Sequence, residues 1–225
     1  DAYGTGKIIA VNADGSYDFD GTNSLTGGTA GIDILGGSNG AFVFAATTNI
    51  GGRTAAAFVV SGDNTATPSV TYTGTIANSS NDAIRIENTG NGGTITFDSL
   101  AADAIADSGT GTGIFLNGAG STINFTADME LTGTEGIDID GGDGTYTFSD
   151  TDINATGVSF DVSGGTSSVS FLTNSTINQA TNNAALNVLN HGTGTLDFNG
   201  DVTTTLGPGV VFNNADGNYS LDGTT

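Results

Sequence analysis

Two apolar columns recur nine times in phase along this chain, and that repeat restricts the fold more than any other feature. One column runs Phe19, Phe44, Tyr72, Phe97, Phe125, Phe148, Phe171, Phe198 and ends on Leu221, at steps of 23–28 residues. The other lies two residues earlier: Tyr17, Phe42, Val70, Ile95, Ile123, Tyr146, Val169, Leu196 and Tyr219. A spacing of two puts both columns on the same face of a β-strand. Recurrence at about 25 residues means that each strand belongs to one structural unit, and a single unit cannot bury the columns without its neighbours.

A second alternating strand precedes each aromatic pair: Ile9/Val11, Ile32/Ile34, Phe58/Val60, Ile84/Ile86, Ile114/Leu116, Ile137/Ile139, Phe160/Val162, Leu186/Val188 and Val210/Phe212. A third, shorter element follows, marked by Leu25, Ile50, Ile76, Ile105, Leu131, Ile153, Ile177 and Val202. Turn clusters such as Gly36-Gly37-Ser38-Asn39-Gly40 and Gly141-Gly142-Asp143-Gly144 separate them, built from residues that tolerate positive φ. No segment has a helical period. A β-propeller blade needs about 40–50 residues and four antiparallel strands, so the shorter step argues against it. The pattern predicts an all-β, right-handed parallel β-helix with three strands per coil, the hand following from the chirality of parallel crossovers. One domain spans 1–225: a lead-in at 1–7, then about nine coils over 8–225, the last lacking its third strand.

Charge narrows the partners. Three cations, Lys7, Arg53 and Arg85, stand against 24 acids for a net charge of −21, and only three of those acids are Glu. Asp belongs to turns more than to helices. Binding to nucleic acid needs a basic patch, and attraction to an anionic membrane needs juxtamembrane cations; three scattered cations supply neither. There is no cysteine, so disulfides and thiolate metal sites are excluded. No apolar run reaches the roughly 18–20 residues of a membrane-spanning helix. A start at Asp1 with no Met fits a processed chain or an excised segment, and the Asp/Thr/Asn/Gly-rich, Lys-poor composition points to export.

Runs such as Gly111-Thr112-Gly113-Ile114-Phe115-Leu116-Asn117-Gly118 and Thr193-Gly194-Thr195-Leu196-Asp197-Phe198-Asn199-Gly200 resemble coils of autotransporter passengers and filamentous-haemagglutinin-type adhesins. The resemblance is one of fold pattern and covers nearly the whole chain. It implies a right-handed parallel β-helix on a bacterial cell surface, with structural or adhesive work.

Polysaccharide lyases and hydrolases use the same fold, so catalysis has to be tested on the residues. A lyase-type site would need Arg or Lys beside calcium-binding carboxylates; Arg85 faces outward between Ile84 and Ile86, with Val59 and Phe115 at the equivalent places in adjacent coils. A hydrolase needs opposed carboxylates, and Asp138 and Asp161 share one outward column in successive coils. His191, between Asn190 and Gly192, reads as an exposed turn, and no Ser/His/Asp set forms around it. The expectation is no enzyme and no obligatory cofactor.

Calcium is the better chemical candidate, because hard cations take several carboxylate and turn-carbonyl oxygens. Asp128, Glu130, Glu135, Asp138, Asp140, Asp143, Asp150 and Asp152 crowd one stretch of 25 residues; the metal candidates are Asp138, Asp140, Asp143 and Asp161. The outward side of the aromatic strand carries a double file of hydroxyls, in which Thr71, Thr94, Thr96, Thr122, Thr145 and Thr147 resemble the Thr-x-Thr arrays of ice-binding solenoids. They form the candidate ligand face, for ice or glycan. At the ends, Ala2 and Tyr3 on one side and Phe212, Tyr219 and Leu221 on the other are candidate assembly residues, since an uncapped solenoid edge invites pairing with another chain. The leading expectation is an extracellular, non-catalytic scaffold, adhesin shaft or head-to-tail filament subunit.

Overall fold

A computed structural model describes residues 7–223. These form 24 β-strands and no helix. The strands make three faces, repeated coil after coil. On the first face nine strands, from Ile8–Val11 through Ile84–Glu87 and Glu135–Asp140 to Val210–Asn213, pair in chain order as one parallel sheet. The second face runs from Ser16–Phe19 to Asn218–Leu221, and the third from Asn23–Thr26 to Asp201–Thr204. Each strand pairs with its counterparts in the coils before and after, which makes a β-solenoid of about nine turns. Neighbouring coils lie about 4.8 Å apart, so the stack is roughly 40 Å long. In coils five and six the second and third strands are continuous, Thr122–Leu131 and Thr145–Ile153, and a register shift between Phe125 and Asp128 marks the corner.

Aromatic stacking through the interior ties the coils together. Phe97, Phe125, Phe148 and Phe171 stack at centroid distances of 5.1, 4.9 and 4.6 Å. The stack tilts around Tyr72, where Phe58 from the first face meets Phe44, Tyr72 and Phe97 edge-on. The buried Tyr72 hydroxyl reaches the carbonyls of Thr48 and Thr75, so its polar end is satisfied. Coil-to-coil contact is tight enough to exclude a side chain at Gly74, where a Cβ would lie 1.8 Å from the Thr48 carbonyl oxygen.

Two columns differ from the pattern expected. In the first coil, Ile8 and Ala10 align with the core residues Ile32 and Ile34, while Ile9 and Val11 point outward and are 48% and 57% exposed. The run Ile8-Ile9-Ala10-Val11 is apolar throughout, so nothing in it marks which side faces in, and pairing with the next coil decides. On the third face Ile105 pairs with Met129, whereas Leu131 pairs with Asp107. Met129 and Leu131 both satisfy a period of two, and the register places the second of them on a buried acid.

Candidate functional site

Pairing within the second face carries a double file of hydroxyl-bearing residues without a break. One file runs Ser69, Thr94, Thr122, Thr145 and Ser168; the other runs Thr71, Thr96, Asn124, Thr147 and Ser170. The files stand about 6.6 Å apart along a strand and repeat about every 4.8 Å between coils. Thr94, Thr122 and Thr145 are exposed, and Thr71, Thr96 and Thr147 are half-buried. Among the described residues none of these six hydroxyls has a protein hydrogen-bond partner. Threonines at the corners behave differently: Thr73 Oγ1 donates to the Phe44 carbonyl (3.0 Å), Thr126 Oγ1 to that of Phe97 (3.1 Å) and Thr132 Oγ1 to that of Asp107 (3.1 Å). The corner hydroxyls are therefore spent on the coil before, and the face hydroxyls are left for solvent or a ligand.

An acidic ledge occupies the outward side of the first face. Register places Arg85, Phe115, Asp138, Asp161 and Asn187 in one file. The Arg85 guanidinium lies over the Phe115 ring at 4.5 Å and is held by Asp82 and Glu87 of its own coil. Sequence spacing looked only to adjacent coils for carboxylates near Arg85; the two that bind it come from its own strand and the turn before it. Asp138 is pushed up to about 7, first by burial and then by the charge of Asp161, with Glu135 and Asp140 adding. Burial also raises Asp161, against the Asn187 amide that donates to its Oδ1 at 3.0 Å. Two acids in register, backbones about 4.8 Å apart, oppose each other's ionisation.

Of the four calcium candidates, Asp138 and Asp161 meet, and Asp140 lies beside them on the same strand, paired with Ser163. Asp143 does not join them. The turn Gly141-Gly142 carries it around the corner, where the Asn91 amide, turned so that its nitrogen donates, reaches its Oδ1 at 3.3 Å and Asn64, Thr89 and Thr166 line the same groove. No group of three or more His, Cys, Asp or Glu suited to a metal forms among the described residues.

Three features escape the sequence pattern. His191 is buried and not an exposed turn: its Nε2 faces the Ser167 carbonyl at 3.2 Å and its Nδ1 the Tyr219 hydroxyl at 3.1 Å, linking coils seven, eight and nine. Burial lowers its pKa, which favours the neutral ring. Arg53, which follows Gly51-Gly52, is likewise buried, with Nη1 donating to the Gly27 carbonyl. On the third face Asp128 pairs with Asp150 and Glu130 with Asp152, a block of like charges that only the register around the Phe125–Asp128 shift reveals. The acid-rich run was visible in the sequence, but its sidedness was not.

At the ends, Ala2 and Tyr3 lie outside the described residues. Phe212 is 45% exposed and its ring stands 4.8 Å from that of Tyr219, while Tyr219 and Leu221 are half-buried. Among the described residues, the strands Val210–Asn213 and Asn218–Leu221 pair on one side only. No protein-family model, no curated protein and no solved structure matches the chain.

Proposed function

We propose that this chain is a structural or adhesive β-solenoid of the bacterial cell surface, a stiff shaft or filament subunit that works without catalysis. The observation that supports it is the uninterrupted interior, an aromatic column in continuous register from Phe19 to Phe198 with no break in coil pairing. Such a column transmits order along its length and leaves the outward faces to short polar side chains. The pattern resemblance to passenger and haemagglutinin-type coils agrees with this. In this reading the one-sided edge of the last described coil receives a further coil, from more of the same chain or from another copy, through backbone strand addition. A heterologous contact of that kind propagates, while the charge of −21 keeps rods apart sideways. Light scattering and electron microscopy of the 225-residue chain test it. Linear rods that lengthen with concentration are expected; a monodisperse monomer at high concentration, with both end coils protected from hydrogen exchange, refutes assembly by this chain alone.

A second reading rests on the hydroxyl face. Its six partnerless threonines, arrayed over four coils, suit a surface that orders water or a glycan. Ice recrystallisation and glycan-array binding are the assays. Thr96→Lys combined with Thr147→Lys should abolish whichever signal the parent shows, and a signal unchanged by both cations excludes this face.

A further inference from the structure

The last residue of the third-face strand sits at an inner corner of the coil, and in coils three and four that residue is Asn78 and Asp107, paired in register. Both side chains are buried. The Asn78 amide is fixed by what it donates to, since its Nδ2 reaches the carbonyls of Asn81 at 2.6 Å and Asp82 at 2.9 Å. Its Oδ1 is thereby left pointing elsewhere, and it has no partner. Asp107 Oδ2 accepts the Gly109 N–H at 3.3 Å, and its Oδ1 too has no partner. Water reaches neither oxygen. Two acceptors, on residues paired in register between adjacent coils, are each left without a donor in a dry corner where every buried polar atom should be paired.

We propose that Asp107 is a neutral carboxylic acid in the folded chain and that its Oδ1–H donates to Asn78 Oδ1, so that one proton pins coil four to coil three. Protonation supplies the donor that the two in-register residues lack. A hydrated cation has no access to these oxygens, whereas a proton needs no room. Coil seven shows what the corner requires. There the last residue of the strand Thr176–Gln179 is buried, its Nε2 donating to the carbonyls of Gly157 (2.6 Å) and Ala184 (3.3 Å) and its Oε1 accepting from Thr181 N–H (3.0 Å). An amide satisfies that corner with donors and an acceptor together; a carboxyl does so only when protonated.

The charges around Asp107 favour the same state. Asp82, across the corner, is an acid bound by Arg85, which also holds Glu87. Glu130 lines the outer pocket that Asp107 and Asn78 also line. No cation other than Arg85 is bonded to any of these acids among the described residues. Burial is the leading effect and the Asp82 charge a lesser one; against the pull of the Gly109 N–H they raise the Asp107 carboxyl to about 7. A carboxyl raised on folding stabilises the fold most at low pH, and that stability is lost as pH climbs from the ordinary value near about 3.9 through the raised one. The pin is therefore closed in mild acid and open in mild base.

Carbon-detected NMR titration of the side-chain carboxyls in the whole 225-residue chain reads the state of Asp107 directly. Its resonance should remain that of the acid well above pH 5 and titrate near neutrality. Titration at or below the ordinary aspartate range, or a calcium-dependent shift of that resonance at pH 8 reversed by chelator, overturns the proposal. Asp107→Asn supplies the second arm by replacing the acid with a permanent donor of the same shape. Its melting temperature should match the parent near pH 3, where the carboxyl is protonated in the folded and the unfolded chain alike, and exceed it by a margin that grows up to pH 8.5; a variant less stable than the parent at pH 8.5 refutes the pin. An unfolded variant leaves the parent titration to decide alone.

Discussion

The middle and the last coils follow one side-chain pattern but hold their residues differently. Phe125 in coil five is fully buried, with Phe97 stacked on one side and Phe148 on the other. Phe212 in coil nine continues an inward column through Val188 and yet remains 45% exposed. Both are Phe in an inward column of a parallel strand, Phe125 on Thr122–Leu131 and Phe212 on Val210–Asn213. What differs is a coil on each side against a coil on one. Burial in a solenoid is thus a property of neighbours, and the same residue type carries unequal energy along the rod.

The largest expected effect follows from that contrast. Phe125→Ala removes a ring enclosed on both sides and should cost about 3–5 kcal/mol, the range for a buried Phe→Ala. Phe212→Ala gives up one stacking partner and a half-wetted surface, and about 1 kcal/mol is expected. Urea unfolding of the two variants ranks them. Equal losses would mean that the last coil is enclosed in solution by something that supplies its missing neighbour, and assembly through that end would gain support. The outward aromatic Phe115 provides a control on the same scale, since it lies beneath Arg85 and belongs to no core column.

The same contrast explains what could be read from the sequence. Both aromatic columns were legible because each coil repeats them at nearly constant offset, and nine repetitions outweigh any local irregularity. Facing in the first coil was not, because Ile8-Ile9-Ala10-Val11 has no polar residue to mark the outside. The third face was legible as an element but not in register, since Met129 and Leu131 compete for one place and the choice is made at a bend between coils. Asp138 and Asp161 were found by counting outward from the core columns, and the structure joins them because that counting holds on the unbroken first face. Asp143 was lost to the group because a glycine turn with positive φ at Gly141 intervenes. His191 was misjudged for the opposite reason: Asn190 and Gly192 look like a turn, and only the Tyr219 hydroxyl one coil on and the Ser167 carbonyl one coil back give the ring its buried place. Neighbours within an unbroken strand column are legible by counting, as Asp138 and Asp161 are. Contacts made through turns and corners, whether within a coil as for Arg85 and Asp82 or between coils as for His191, are not.

The smallest expected effect separates the two classes of threonine. Thr73→Val keeps the branched shape and removes the hydroxyl that donates to the Phe44 carbonyl of the preceding coil, so a loss of about 0.5–1.5 kcal/mol is expected for one hydrogen bond. Thr96→Val makes the same chemical change on the second face, where the hydroxyl has no protein partner to lose. Valine and threonine both suit an exposed strand, so the change should stay within about 0.5 kcal/mol of zero. The two residues lie in adjacent coils, and Thr96 pairs with Thr71 two positions before Thr73, which holds the surroundings nearly constant. Matched urea titrations of the single variants measure the difference. If Thr96→Val costs as much as Thr73→Val, the face hydroxyls are part of the structural bonding between coils, and their regular array needs no ligand to explain it. If Thr96→Val is neutral, the array adds nothing to folding, and its regularity must be sought in what the face meets.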